Sequence, residues 1–218
     1  MSTRESAVKG RRRRRYESPR RAEQAGQTRA VILGAARGLF GERGWAATGM
    51  RDVAGGAGVA VETVYASFGS KADLLLAALD VGVVGDELPI PLADRAEFAA
   101  LGRGTRAQRA RAAARLVRGI NERTYGTQKA LREAAASDAE LSKRLREADE
   151  RRRINVADGA RLVAGRPVSE TERDGVWAVL SMDVYELLVE RSGWSAARYE
   201  RWLADTIVRL LRRGKETT

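Results

Sequence analysis

The sequence predicts an all-α fold, and three observations carry that prediction. Apolar residues recur at spacings of three and four in one segment after another. No segment shows the period-two alternation of a strand, and no internal repeat is visible. Glycine, proline or a capping Ser, Thr or Asp punctuates the periodic segments. A hydrophobic fraction of 44% over 218 residues suffices for a packed core. There is no cysteine and no histidine. That excludes a disulfide framework, a Cys/His zinc site and Cys–His or Ser–His catalysis, so no metal, no cofactor and no enzymatic role is expected. No apolar run reaches the length of a membrane span, and the arginine-rich start lacks the apolar stretch of a signal peptide. The expected location is the cytoplasm, with no membrane partner.

Net charge is +11, and it is uneven. In residues 1–24, nine basic side chains against three acidic ones leave net +6. Residues 1–23 have no apolar periodicity, a run of arginines (Arg11, Arg12, Arg13, Arg14, Arg15), then Pro19, Arg20 and Arg21. Like charges repel and little can be buried, so the segment reads as a disordered basic arm. It is either a solvated leader or an electrostatic arm on DNA; a basic patch implies a polyanionic partner.

Residues 24–71 read as a three-helix unit. Val31, Ile32, Ala35, Ala36, Leu39 and Phe40 form one stripe of a first helix over 24–43, closed by Gly41 and Gly44, with Trp45 as a core aromatic. Thr48 is placed to N-cap a second helix that carries Met50, Val53, Ala54 and Ala57 on one face. Gly58 can end that helix in the left-handed conformation. Val59 plugs the turn. Ala60 to Phe68 then forms a short helix with Val61, Val64, Tyr65 and Phe68 at helical spacing. Two short helices about a tight glycine turn make a helix-turn-helix, whose second helix is offered to the major groove. Ser70 and Lys71 open the next helix, where an N-terminus and a lysine both attract phosphate.

Thr28 to Leu76 resembles the DNA-binding domain of the TetR family of bacterial transcriptional repressors. The matching residues are TRAVILGAARGLFGERGW at 28–45, Thr48, VAGGAGVAVETVYASF at 53–68 and Lys71 to Leu75. There are departures. Position 60, usually a hydroxyl residue, is Ala60; position 62, usually small, is Glu62; Gly55 and Gly56 lie inside the second helix. The resemblance implies that Thr48, Tyr65 and Lys71 hold backbone phosphates and that Thr63 reaches a base or adjoining phosphate. Ala60, Val61 and Glu62 then face bases, Val61 toward a thymine methyl and Glu62 toward a cytosine amino group.

Residues 72–218 read as a helical bundle. A fourth helix from Lys71 carries Leu74, Leu75, Ala78 and Leu79; Gly82, Gly85, Pro89 and Pro91 interrupt it, and one turn is expected around Glu97 to Leu101. Thr105 to Tyr125 is a helix with an arginine-rich outer face, followed by a short helix over Gln128 to Ala136. Asp138 caps a long helix to about Ala164. Ser169 and Glu172 form a capping box for a helix to Ser192, and Ser195 to Arg212 is the last helix.

A single helix-turn-helix covers too little DNA, so two copies are expected to read paired half-sites. The last two helices have wide apolar stripes: Val184 and Leu188 on one, Tyr199, Trp202, Leu203, Ile207 and Leu210 on the other. They are either a homodimer seam, as the resemblance implies, or the subunit's own core. The resemblance also implies a small-molecule effector in the bundle. Asn121, Tyr125, Trp177, Ser181 and Tyr185 are its candidate liners. The function expected is a ligand-responsive repressor that binds a palindromic operator as a homodimer and is released by its effector. The alternatives are a DNA-binding protein of the same fold without a ligand, and a basic RNA-binding or scaffold bundle.

Overall fold

A computed structural model describes residues 19–212, and every regular element among the described residues is helical. α1 (Pro19–Arg43) starts earlier than expected, because the fixed φ and missing N–H of proline suit a first helical turn. It runs through Gly41, buries Ile32, Leu33, Ala36 and Phe40 on one stripe, and stops at Gly44, where φ is 75°. α2 (Met50–Ala57) and α3 (Val61–Phe68) make the helix-turn-helix. At its turn Gly58 has φ 66°, its N–H bonds the Gly55 carbonyl at 3.2 Å, and the Val59 N–H bonds the Ala54 carbonyl at 3.0 Å. That pair of bonds is a Schellman motif, which requires a left-handed residue. α4 (Lys71–Val84) begins at Ser70, whose hydroxyl accepts the Asp73 N–H at 3.0 Å, and ends at Gly85 with φ 94°.

A short α5 (Ala96–Ala99), flanked by 3-10 turns, buries Phe98 and Leu101. Then come α6 (Arg106–Ala135), α7 (Ala139–Ala164), α8 (Glu170–Val179), α9 (Met182–Tyr185) and α10 (Ala196–Leu210). The Asp138 cap and the Ser169–Glu172 box form as local sequence dictates.

Three further boundaries differ from expectation. α6 is one helix across Tyr125–Gln128, because Gly126 is not a stop. A Cβ built on Gly126 would run into the Cα of Gly41, so this glycine is where α1 crosses α6 at backbone distance. Gly82 likewise lies inside α4, facing Thr124 of α6 at 2.8 Å from the position a Cβ would take. The helix expected over 169–192 divides at Leu180 and Ser181. Ser181 takes an extended conformation and its hydroxyl accepts the Val184 N–H at 3.3 Å, capping α9 afresh. α9 continues as a π-helical segment over Glu186–Arg191.

Two cores result. The first joins α1–α4, and Ala130, Leu131 and Ala134 of α6 and Leu141 of α7 complete it. The second gathers Phe98, Ala114, Val163, Val176, Tyr199 and Leu203. α6 therefore serves both. Its outer arginines are not simply a solvated face: Arg106 donates to the Val208 carbonyl at 3.1 Å and Arg109 to the Leu162 carbonyl at 3.0 Å. These satisfy orphan acceptors near the ends of α10 and α7.

Candidate nucleic-acid interface and the cavity behind it

α3 is anchored by Val64 and Phe68, which are buried against α1 and α4. Helical periodicity then turns Ala60, Glu62 and Tyr65 outward, with Tyr65 51% exposed and its ring free for a phosphate or base. Val61 and Thr63 are half-buried at the edge of the same helix. The geometry thus brings Ala60, Val61, Glu62, Thr63 and Tyr65 onto one short helix at the surface.

Thr48 and Lys71 are placed differently from expectation. Thr48 is 1% exposed, and its hydroxyl donates to the carbonyls of Gly44 at 2.8 Å and Leu39 at 3.1 Å. It closes the end of α1 and does not cap α2. Gly49 occupies that position, with its N–H bonded to the Asp52 carboxylate at 2.7 Å. Lys71 lies with its ammonium 4.0 Å from the centre of the Trp45 ring and bonded to the Trp45 carbonyl. Burial lowers its pKa, opposed by Glu133 and Asp52. In this structure Lys71 therefore ties the α1–α2 loop to α4, and a phosphate contact would require it to leave Trp45. Trp45 itself stacks on Phe40 at 6.1 Å, as a core aromatic. The arm residues Arg11, Arg12, Arg13, Arg14 and Arg15 lie outside the described residues.

Three side chains that the sequence did not single out hold this head to the bundle. Glu133 of α6 accepts the N–H groups of Trp45 at 2.9 Å and Ala46 at 3.1 Å. Arg123 of α6 donates to the carbonyls of Gly82 at 2.8 Å and Val83 at 3.3 Å, clamping the end of α4. Arg29 of α1 reaches the Ser67 carbonyl at 3.2 Å, covers the Phe68 ring at 4.3 Å and pairs with Glu87 at 3.0 Å. A charged residue on a helix gives no local sign of so distant a partner.

Glu87 belongs to the wall of an open cavity of about 720 Å³ bordered by α4, α6, α7, α8, α10 and the loop between α4 and α5. Its lining is mainly aliphatic, with Leu79, Leu116, Ile120, Leu145 and Ile154 among the residues that face it. Of the five expected liners, Asn121 borders it, and its amide donates to the Tyr199 hydroxyl at 3.2 Å. The other four do not. Tyr125 and Tyr185 pack on each other at 5.7 Å, and Tyr185 meets Tyr199 edge-on at 5.3 Å. Burial pushes the Tyr185 and Tyr199 phenols up to about 12. Ser181 caps α9, and Trp177 lies outside the wall beneath Arg152 and Arg153.

The expected dimer seam also divides. Tyr199, Leu203 and Ile207 are 0%, 0% and 1% exposed and belong to the subunit's own second core. Val184, Leu188, Trp202 and Leu210 are only partly covered. Leu187, on the segment after α9, is 55% exposed.

Comparison with known proteins bears on the helix-turn-helix and the overall fold. The sequence model for bacterial regulatory proteins, tetR family, matches residues 32–78, which span the C-terminal half of α1, all of α2 and α3 and the start of α4. None of the curated proteins matches the chain in sequence. Two solved structures share its fold. A TetR family member from Streptomyces coelicolor A3 is 18% identical, with 85% of this chain and 99% of that one covered and a TM-score of 0.55. The multidrug binding protein EbrR, complexed with imidazole, is 19% identical, with 87% and 98% covered and a TM-score of 0.53. No helix among the described residues is long and apolar enough to cross a membrane. Residues 32–78 thus match the sequence of bacterial regulatory proteins of the tetR family, and the chain shares the all-α fold of these two solved structures.

Proposed function

We propose that the chain is a cytoplasmic transcriptional repressor that binds a palindromic operator as a homodimer and is released by a small molecule in the bundle cavity. One observation carries the reading: Arg29 connects the C-terminal end of α3, at Ser67 and Phe68, to Glu87 on the cavity wall. A ligand that displaces Glu87 removes a support of the recognition helix. That gives it different contacts in the DNA-bound and released states, which is what coupling between two sites requires. The alternative of a reader without a ligand fits the cavity less well, since a filled core would serve it better. The capture of imidazole by EbrR, a protein of similar fold, supports a ligand-binding role. The homodimer reading draws support from exposed Leu187 and half-covered Trp202, and from the small footprint of one helix-turn-helix. The test is to sequence the genomic fragments that the pure protein retains. One enriched inverted repeat is expected, and RNA should not compete for it. No enrichment, or equal competition by RNA, would favour a basic scaffold instead.

Glu62 should set the operator's sequence more than its affinity. A carboxylate near phosphates is repelled, so on this exposed helix it is best used to accept from a cytosine amino group. Glu62→Ala is expected to relax one position per half-site, at about 1–3 kcal/mol of discrimination. Selection from a random DNA pool reads this directly; an unchanged motif would leave Glu62 facing solvent.

The arm should act through charge. Each phosphate it neutralises releases counterions, and log K falls with log salt at roughly 0.9 per contact. With about half of the seven arginines in Arg11–Arg15, Arg20 and Arg21 engaged, deleting residues 1–23 should lower that slope by about 3 per subunit. A salt titration of full-length and truncated protein on the same DNA measures it. Parallel lines would show that the arm leaves the duplex alone.

A further inference from the structure

We propose that the effector is an amphiphile with a long apolar body and a single carboxylate, and that the carboxylate seats on the Arg152 guanidinium. The inference rests on the reading of the cavity as the effector site. Most of the wall is aliphatic and asks for an apolar body. The polar groups on it are few, and four are already committed. The Asn121 amide donates to Tyr199 and the Gln128 amide to Thr124 at 2.7 Å. Asp86 is held by Arg95 through bonds of 2.7 and 2.8 Å, and Glu87 is held by Arg29.

Arg152 is a wall cation that no carboxylate among the described residues pairs. It projects from α7, half-buried on the cavity wall, and donates one bond, to the Trp177 carbonyl at 3.2 Å. Its guanidinium lies 5.3 Å from the centre of the Trp177 ring. Among the described residues no carboxylate lies within 4.0 Å of it. Its neighbour Arg153 pairs with Asp174 at 3.5 Å, and Asp183 is taken by Arg132 through bonds of 2.6 and 3.1 Å. Burial lowers the Arg152 pKa, which marks a cation held away from water. A guanidinium has five donors in a planar fork that matches a carboxylate with two parallel bonds. An aromatic face stabilises such a cation only in part, so an anionic head on it relieves the remaining cost of burial.

Asp80, Asp149 and Arg151 share the rim. Burial raises the Asp80 pKa, with Arg151 opposing. These carboxylates make a cationic head the rival, and the experiment must separate the two. Full-length protein is titrated calorimetrically with decanoate, decanol and decyltrimethylammonium, each below its micellar concentration. Decanoate should bind about tenfold or more tightly than decanol, with the cation weakest. Arg152→Gln should bring decanoate down to the level of decanol and leave decanol unchanged; Arg152→Lys, which keeps the charge without the fork, should retain part of the preference. Thermal unfolding confirms that each variant is folded, and if Arg152→Gln is not, the ranking of the three probes and the lysine variant decide. Tightest binding of the cation, equal binding of all three, or an undiminished decanoate preference in Arg152→Gln would overturn the proposal and leave the cavity reading intact. Binding of none of the three would overturn both.

Discussion

Leu203→Glu is expected to abolish folding, and not to yield folded monomers. Leu203 is fully buried in the second core beside Tyr199 and Ile207. The substitution removes about 2 kcal/mol of side-chain burial and places a carboxylate at a fully buried position among apolar side chains. The charge penalty is several kcal/mol more, or the group protonates at a similar cost. Against a domain stability of about 5–15 kcal/mol, the sum leaves little or nothing folded. Leu187→Glu is the contrast. Leu187 is 55% exposed, so the variant should fold normally, with any loss confined to self-association. Circular dichroism and sedimentation of the two variants check this. A folded, monomeric Leu203→Glu protein would return the α10 stripe to the dimer seam.

Gly126→Ala should destabilise the protein while Gly41→Ala does not, although the two glycines face each other. The contact is asymmetric. A Cβ on Gly126 runs into the Gly41 Cα, whereas a Cβ on Gly41 meets the Gly126 Cα at an ordinary 3.7 Å. No rotamer change relieves a clash with backbone, so α1 and α6 must separate. Overpacking costs about 3 kcal/mol in such a case, offset by about 1 kcal/mol of better helix propensity. The net loss of about 2 kcal/mol corresponds to roughly 4–8 °C in Tm for a chain of this size. Gly41→Ala keeps the propensity gain and should be neutral or slightly stabilising. The same crossing holds the DNA-reading helices to the bundle, so Gly126→Ala should also weaken coupling between effector and DNA. Thermal unfolding of the two variants measures the asymmetry, and an unperturbed Gly126→Ala protein would place the crossing elsewhere along α1.

What the sequence determined by itself is the part governed by neighbours along the chain. The Ser169–Glu172 box, the Asp138 cap and the Gly58 turn join residues within a few positions, so residue type and spacing define them. The outward face of α3 follows in the same way, because Val64 and Phe68 take the inner side and periodicity leaves Glu62 and Tyr65 out. Tertiary structure decided whatever depends on a partner far along the chain. Gly126 reads as a helix stop until α1 is placed against it, when it becomes the point of closest approach inside one long helix. Thr48 and Lys71 have the residue types of a cap and a phosphate ligand, but the hydroxyl turns back to Leu39 and Gly44 and the ammonium lies on Trp45. The α10 stripe shows that an apolar face must be covered, not by what; packing assigns Tyr199, Leu203 and Ile207 to the subunit's own core. The cavity and the Arg152 guanidinium on its wall belong to the same class. An apolar stripe has the same period whether it meets another helix or an empty space, and only the assembled helices distinguish the two.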